Sequence, residues 1–396
     1  MLKLYLSNSR IDIESSKTKA ETIRMDSLPA FASHNADFRL IDNVVKKYSK
    51  VKNIIVIGNG GSITSFWAYY KALAEFKTDK KVFLVNTMDP DYLTNIKKTA
   101  GKKDSLVIAI SKSGNTVGVL ESLLAFDGYK TLVITSEEST LYKIAKKKKY
   151  GVVLHPEIGG RYCGTSLVAY IPSKLVGVNI KAIDAGARRM YKKCSSTKLE
   201  KNPALQLSLA LYLLDFNGYG EIFAPLYSPK LEGFLALIIQ LLHESCCKLG
   251  KGQTFYGGIG PETQHHTNQR FFGGKKNVLG LFVNIEKFDN DFRTKVQPEI
   301  KKIALKDTSM NVLTNILLSK AVHYEFEGTF KDAIRNKIPV ASLLLDKIEE
   351  ETIGEFIAFW HYVAVYASLL RNVDPFDQPQ VEASKEISFE LRKRSS

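Results

Sequence analysis

The sequence predicts an α/β protein of two doubly wound parallel-sheet halves, each a three-layer αβα sandwich, with a helical segment before them and helices at the C-terminal end. Three observations carry this. Short apolar runs rich in β-branched residues, such as 54–57 and 106–110, have no polar face, as parallel strands buried on both sides require. They alternate with stretches at helical spacing, the pattern of a doubly wound sheet. Two of them stop abruptly in glycines or hydroxyl-bearing residues, at the strand ends where open α/β sheets bind ligands.

Taken in order, residues 1–50 read as mostly helical. Residues 51–199 form the first α/β subdomain. Here 53–62, N-I-I-V-I-G-N-G-G-S, is a strand ending in glycines, followed by a helix with Phe66, Tyr69, Tyr70 and Leu73 on its buried side. Further strands fall at 82–85, 106–110, 131–134 and 152–154. Residues 200–396 form the second subdomain and a helical tail, with strands at 221–224, 278–283 and 338–345 and helices at 230–248 and 349–370.

A chain of 396 residues has length for two or three domains with sizeable cores. Its net charge of +15, from 56 Lys and Arg against 41 Asp and Glu, suits a protein that draws in anionic substrates, and equally a nucleic-acid binder. The largest basic run, 146–149, carries no interleaved aromatics and reads as a solvated helix end; no zinc-finger spacing or RNA-binding aromatic pattern occurs. The longest apolar run, 234–242, falls well short of the ~20 residues of a membrane span. The first residues, M-L-K-L-Y-L-S-N-S-R, lack a signal-peptide core. Four cysteines, with Cys246 and Cys247 adjacent, give neither a disulfide framework nor a zinc spacing. A cytoplasmic protein is expected.

Chemistry concentrates in four places. In S-K-S-G-N-T at 111–116, Ser111, Ser113 and Thr116 offer hydroxyls and Gly114 lets the backbone approach a ligand. The helix that follows has first-turn N–H groups free for a phosphate. The plainer reading is a βα loop with a Ser/Thr cap. The glycines at 58–62 do not follow the dinucleotide pattern and 111–116 lacks the Walker spacing, so a phosphate on a small molecule is favoured over a nucleotide. Gly159-Gly160-Arg161-Tyr162 can turn a guanidinium inward toward an anion or a developing oxyanion, or leave it on the surface. Gln240 and Glu244, four apart, share a helix face beside a very apolar segment. Partial desolvation there suits Glu244 to general-base work; the alternative is a helix-end carboxylate paired with Lys248 or Lys251. Finally, 257–274 is a dense polar stretch read as a glycine-flanked loop. Its adjacent His265 and His266 suit acid/base chemistry better than metal binding, because neighbouring histidines point apart.

Together these motifs resemble the phosphoglucose isomerase family of the sugar isomerase superfamily. S-K-S-G-N-T after a buried strand resembles the superfamily's sugar-phosphate turn. G-G-R-Y, E-S-x-x-K, Q-H-x-x-x-Q and the terminal N-V-D-P-F-D-Q-P-Q-V-E-A-S-K resemble phosphoglucose isomerases in particular, and the matches run from Gly58 to Lys385. The resemblance implies reversible, metal-independent isomerisation of glucose 6-phosphate and fructose 6-phosphate through a cis-enediol, in glycolysis and gluconeogenesis, with no cofactor. It implies that Ser111, Lys112, Ser113 and Thr116 hold the phosphate and that Gly61 and Ser62 line the sugar. Gln240 and Gln378 would contact substrate. Glu244 would be the base, Arg161 would stabilise the enediolate, His265 would open the ring from the neighbouring subunit of a homodimer, and Lys385 would assist at the ring oxygen. No nucleic acid or membrane partner is expected. Three departures from the family's usual residues stand out: Asn59 in the first glycine motif, Cys246-Cys247 before Lys248, and Ser384. The competing readings are a bifunctional phosphoglucose/phosphomannose isomerase and a non-catalytic sugar-phosphate-binding regulator, which would not need Glu244, Arg161, His265 and Lys385 together. A hexosamine synthase would need a glutaminase domain that Met1-Leu2-Lys3 does not begin.

Overall fold

The computed structural model describes residues 1–23, 25 and 27–395. In chain order the strands are β1 (Leu2–Tyr5), β2 (Asn53–Ile57), β3 (Lys81–Val85), β4 (Ser105–Ser111), β5 (Lys130–Thr135) and β6 (Gly151–Leu154). There follow β7 (Glu221–Leu226), β8 (Thr254–Ile259), β9 (Val278–Lys287), a short β10–β11 hairpin (Ala304–Leu305, Thr308–Ser309) and β12 (Val340–Lys347).

The apolar runs of the first half form one five-stranded sheet in the order β3-β2-β4-β5-β6, every pair parallel. β2 and β4 are buried at every residue. Alternate residues serve opposite faces, as period-two geometry demands. Ile54, Val56, Leu106 and Ile108 join one hydrophobic cluster, while Ile55, Ile57, Val107 and Ala109 join another. That is the three-layer arrangement the absence of a polar face predicts.

The second sheet has the order β1-β12-β9-β7-β8. Its strands run parallel except β1, which lies antiparallel on β12. Two expectations are corrected here. The segment 1–50, expected to be mostly helical, also contains a strand, because its first residues supply this edge strand. L-K-L-Y-L alternates apolar with polar, the half-buried strand pattern; Leu2 is buried and its N–H donates to Glu355 Oε2 at 3.0 Å. The stretch 257–274 is not one loop. Its start belongs to β8, whose Gly257 lies so close to β7 that a Cβ there would sit 2.3 Å from the Ala224 carbonyl oxygen. Glycine is the one residue that admits such an approach, and it also hides the strand from a propensity reading.

The helix Glu350–Leu370 is long and apolar enough to cross a membrane, yet it is buried along nearly its whole length in the core. It crosses the helix Ile180–Cys194 at glycine contacts. A Cβ on Gly186 would fall 1.9 Å from the Glu351 carbonyl oxygen, and one on Gly354 would fall 2.0 Å from that of Ile183. One hydrophobic cluster includes residues of both sheets and of this helix pair, so the halves are joined by a common core. The basic run ends the helix Thr140–Lys148 and is exposed, with Lys148 pairing to Asp127 at 2.9 Å.

Candidate active site

Three turns meet at the carboxyl edge of the first sheet. β4 ends in Ser111, whose Oγ accepts from the Gly114 N–H at 3.1 Å and shares a hydrogen bond with Thr116 Oγ1 at 3.0 Å. Gly114 has φ +61°, and a Cβ there would meet Ser139 Oγ at 2.2 Å. Glycine is therefore required twice over, by backbone conformation and by space. Thr116 precedes the helix Val117–Ala125 without capping it through its side chain, so the first N–H groups of that helix keep their capacity for an anion. Lys112 extends outward, 3.5 Å from Glu157.

Next to it, β2 ends in the turn Gly60–Ser62. A Cβ on Gly61 would overlap the Gly160 carbonyl carbon at 2.1 Å, and one on Gly60, which has φ +52°, would lie 2.6 Å from Gln240 Nε2. The two glycine motifs thus allow the 58–62 turn, the 159–161 turn and the Gln240 side chain to close on one another. Asn59 is exposed and donates to the Asn86 carbonyl at 3.1 Å, so this departure braces the neighbouring loop.

The third turn, Gly160–Thr165, carries Arg161 inward. Its side chain is 4% exposed. Nη1 donates to Glu244 Oε2 and to Gln378 Oε1, both at 2.8 Å. Nη2 donates to the carbonyls of Pro375 and Asp377 at 2.9 and 2.8 Å. Glu244 projects from the helix Gly233–Cys246, its side chain 30% exposed, and its other oxygen accepts from Gln240 Nε2 at 3.0 Å. Gln240 Oε1 in turn accepts from Thr64 at 3.3 Å. The carboxylate is therefore oriented from both sides while one flank stays open. Pairing with Lys248 or Lys251 does not occur: those lysines reach the 371–377 segment instead.

Behind Arg161 the side chains of Tyr162, Cys163 and Ser245 are buried. The Tyr162 hydroxyl donates to the Pro375 carbonyl at 3.0 Å and accepts from Ser245 at 2.9 Å. Burial pushes that phenol up to about 12 and the Cys163 thiol up to about 12, so both pack rather than react. Burial also brings His155, just after β6, from its ordinary 6.5 down to about 4.

The structure thus gathers Gly61, Ser62, Arg161, Gln240, Glu244 and Gln378 into one cluster and places Ser111, Ser113 and Thr116 on the adjoining strand end. It does not bring two expected residues to that cluster within one chain. His265 lies exposed in the turn between the short helices Gly260–Thr263 and Thr267–Gly273. Lys385 is exposed on the helix Glu382–Ser395, paired with Glu382 at 2.8 Å. Three residues that sequence reasoning did not place here, Thr64, Tyr162 and Lys248, support the cluster; only the G-G-R-Y and E-S-x-x-K motifs hinted at the last two.

A parallel sheet whose strand-end turn presents hydroxyls and helix N–H groups, beside a carboxylate faced by a guanidinium, defines a protein of the sugar isomerase fold class. Solved structures agree on the fold. A hypothetical protein of Thermus thermophilus superposes with TM-score 0.88 at 22% identity over 100% of both chains. A glucose-6-phosphate isomerase of Chlamydia trachomatis superposes with TM-score 0.82 at 18% identity over 100% of this chain and 89% of its own. The sequence model of phosphoglucose isomerase matches residues 42–396, and the chain belongs to that family. Among relatives, the glucose-6-phosphate isomerase of Methanocaldococcus jannaschii is 29% identical over 370 residues, 90% of this chain and 88% of its own. That of Acholeplasma laidlawii is 27% identical over 374 residues, 89% and 86% of the two chains.

Proposed function

We propose that this protein interconverts glucose 6-phosphate and fructose 6-phosphate by moving a proton between C1 and C2 through a cis-enediol, serving glycolysis and gluconeogenesis in the cytoplasm. The observation that carries this reading is the Arg161–Glu244 pair at 2.8 Å, beside a phosphate-suited turn in a chain of this family. Glu244 is the base: Gln240 and Arg161 fix its two oxygens, so it presents one geometry to both carbons. Arg161 supplies positive charge where the enediolate oxygen develops, and its own contacts hold it in place before the reaction starts. Ser111, Ser113 and Thr116 with the N-terminus of the helix Val117–Ala125 hold the phosphate, and Lys112 adds charge at the rim. Ser62 and Gln378 border the sugar. Ring opening falls to His265 of the partner subunit in a homodimer, and Lys385 assists at the ring oxygen. The exposed position of His265 in the single chain supports a site completed by a second copy.

The test is a coupled assay with fructose 6-phosphate, run with and without a chelator. Turnover that survives exhaustive chelation is expected. A wild type that binds sugar phosphate without turnover overturns the enzyme reading, and loss on chelation restored by one divalent ion overturns the metal-free mechanism.

A further inference from the structure

We propose that Lys248 is a positioning residue for this reaction: through the 374–378 loop it sets where the Arg161 guanidinium stands opposite Glu244. Its catalytic meaning rests on the isomerase reading above.

Lys248 lies four residues beyond Glu244, and on a continuing helix the two would share a face. The helix ends at Cys246, however, and Cys247 leaves it with φ −86° and ψ 78°. The Lys248 N–H then bonds back to the Cys246 carbonyl at 3.1 Å. This tight turn sends the lysine away from the carboxylate and into the loop. Lys248 is 6% exposed. Its ammonium donates to the carbonyls of Asp374 and Asp377, the latter at 2.8 Å, and to the Asp377 carboxylate. A buried ammonium is tolerated only when its donors are met, and here they are met by a loop that belongs to no helix or sheet.

The same loop holds Arg161. Its Nη2 bonds to the carbonyls of Pro375 and Asp377, and its Nη1 to Gln378. The Asp377 carbonyl is thus shared by both cations, accepting from each at 2.8 Å, as a carbonyl with two lone pairs can. Removing the ammonium frees the Asp374 carbonyl and the Asp377 carboxylate and leaves the loop held by Arg161 and Tyr162. The guanidinium then follows a mobile loop instead of resting on a fixed one. The clamp and the base occupy one helix end, so E-S-C-C-K encodes the carboxylate and the placement of the cation facing it.

The test uses the full chain with Lys248→Met. The variant should lower kcat for fructose 6-phosphate about 10–100-fold with KM changed less than about threefold, the signature of a misplaced transition-state group. Combined with Arg161→Lys, it should add less than about a further twofold, since both changes disable one unit. Hydrogen exchange over 372–381, read well below the unfolding midpoint, should accelerate in Lys248→Met. Asp377→Asn, at a half-exposed side chain, keeps the carbonyls and serves if the first variant does not fold. It should cost about 3–10-fold in kcat. Unchanged kcat in the folded variants, fully multiplicative loss in the double variant, or unaltered exchange over the loop each overturn the proposal. A wild type without isomerase activity instead overturns the functional reading, and the exchange measurement still decides the clamp.

Discussion

At the residue scale, the question is what Glu244 does that an amide cannot. Glu244→Gln keeps the side-chain shape and can keep a bond to Arg161, but it cannot accept a carbon-bound proton. Turnover should fall by at least ~10²–10⁴-fold, while a non-reactive sugar-phosphate acid still binds with little change in affinity. The comparison is kcat by coupled assay against Kd by titration. If both survive, Glu244 is a structural partner of Arg161 and the base lies elsewhere. Arg161 meets Glu244, Gln378 and two carbonyls, and every donor on its two terminal nitrogens has a use. That explains why the bidentate fork of Arg, and not the single point of Lys, sits here.

At the element scale, the segment from β6 to Arg161 carries a pH liability. His155 is buried, with Nδ1 donating to the Pro156 carbonyl at 2.7 Å and Nε2 3.7 Å from Cys163 Sγ. Its folded pKa is lowered from 6.5 to about 4. Above about pH 6.5 the ring is neutral in folded and unfolded chains alike and costs nothing. Between there and about pH 4 the unfolded chain takes up a proton that the folded chain refuses, so stability falls as pH falls. The loss attributable to this ring is about 3 kcal/mol by pH 4. In urea unfolding at pH 7.5 and pH 4.5, His155→Asn should show a shallower acid loss than wild type. Equal pH dependence in the two proteins would show that His155 does not titrate on unfolding. His361, buried against Phe31, Tyr162 and Tyr191, is pushed down the same way, to about 3, and contributes in the same direction in both.

At the scale of the whole molecule, the exposed His265 frames a prediction about assembly. If each site takes Glu244 from one subunit and His265 from the other, Glu244→Gln and His265→Ala chains are each nearly inactive alone. Refolded together in equal amounts, half the dimers are mixed and each mixed dimer has one intact site. Activity should recover to about one quarter of wild type. No recovery on mixing, with mixed dimers demonstrated, would place His265 outside the shared site. The exposed apolar residues of the C-terminal helix, Ile387, Phe389 and Leu391, fit a surface with further contacts to make.

How much of this the sequence determined depends on the range of the forces involved. The strands β2 and β4 and the hydroxyl turn at 111–116 follow from local patterns: continuous apolar runs, small residues and chain reversals are properties of neighbours in sequence, whereas Gly60 and Gly61 are required by Gln240 and the 159–161 turn, far along the chain. The alternation in β1 spans only four residues, too few to name a strand by itself, and β8 was not legible. The first is four residues whose stability comes from β12, over three hundred residues away, and the second contains Gly257, whose purpose is close approach to β7. The same division runs through the site. The sequence marked Arg161, Gln240, Glu244 and Gln378 as separate motifs and left open whether Arg161 faced solvent and whether Glu244 paired with Lys248. Only the tertiary structure decided that Arg161 pairs with Glu244 and that Lys248 turns to the 374–378 loop. Those pairings span from 83 to 217 positions for Arg161 and follow from which acceptors a folded core leaves for a buried cation, a matter no local pattern records.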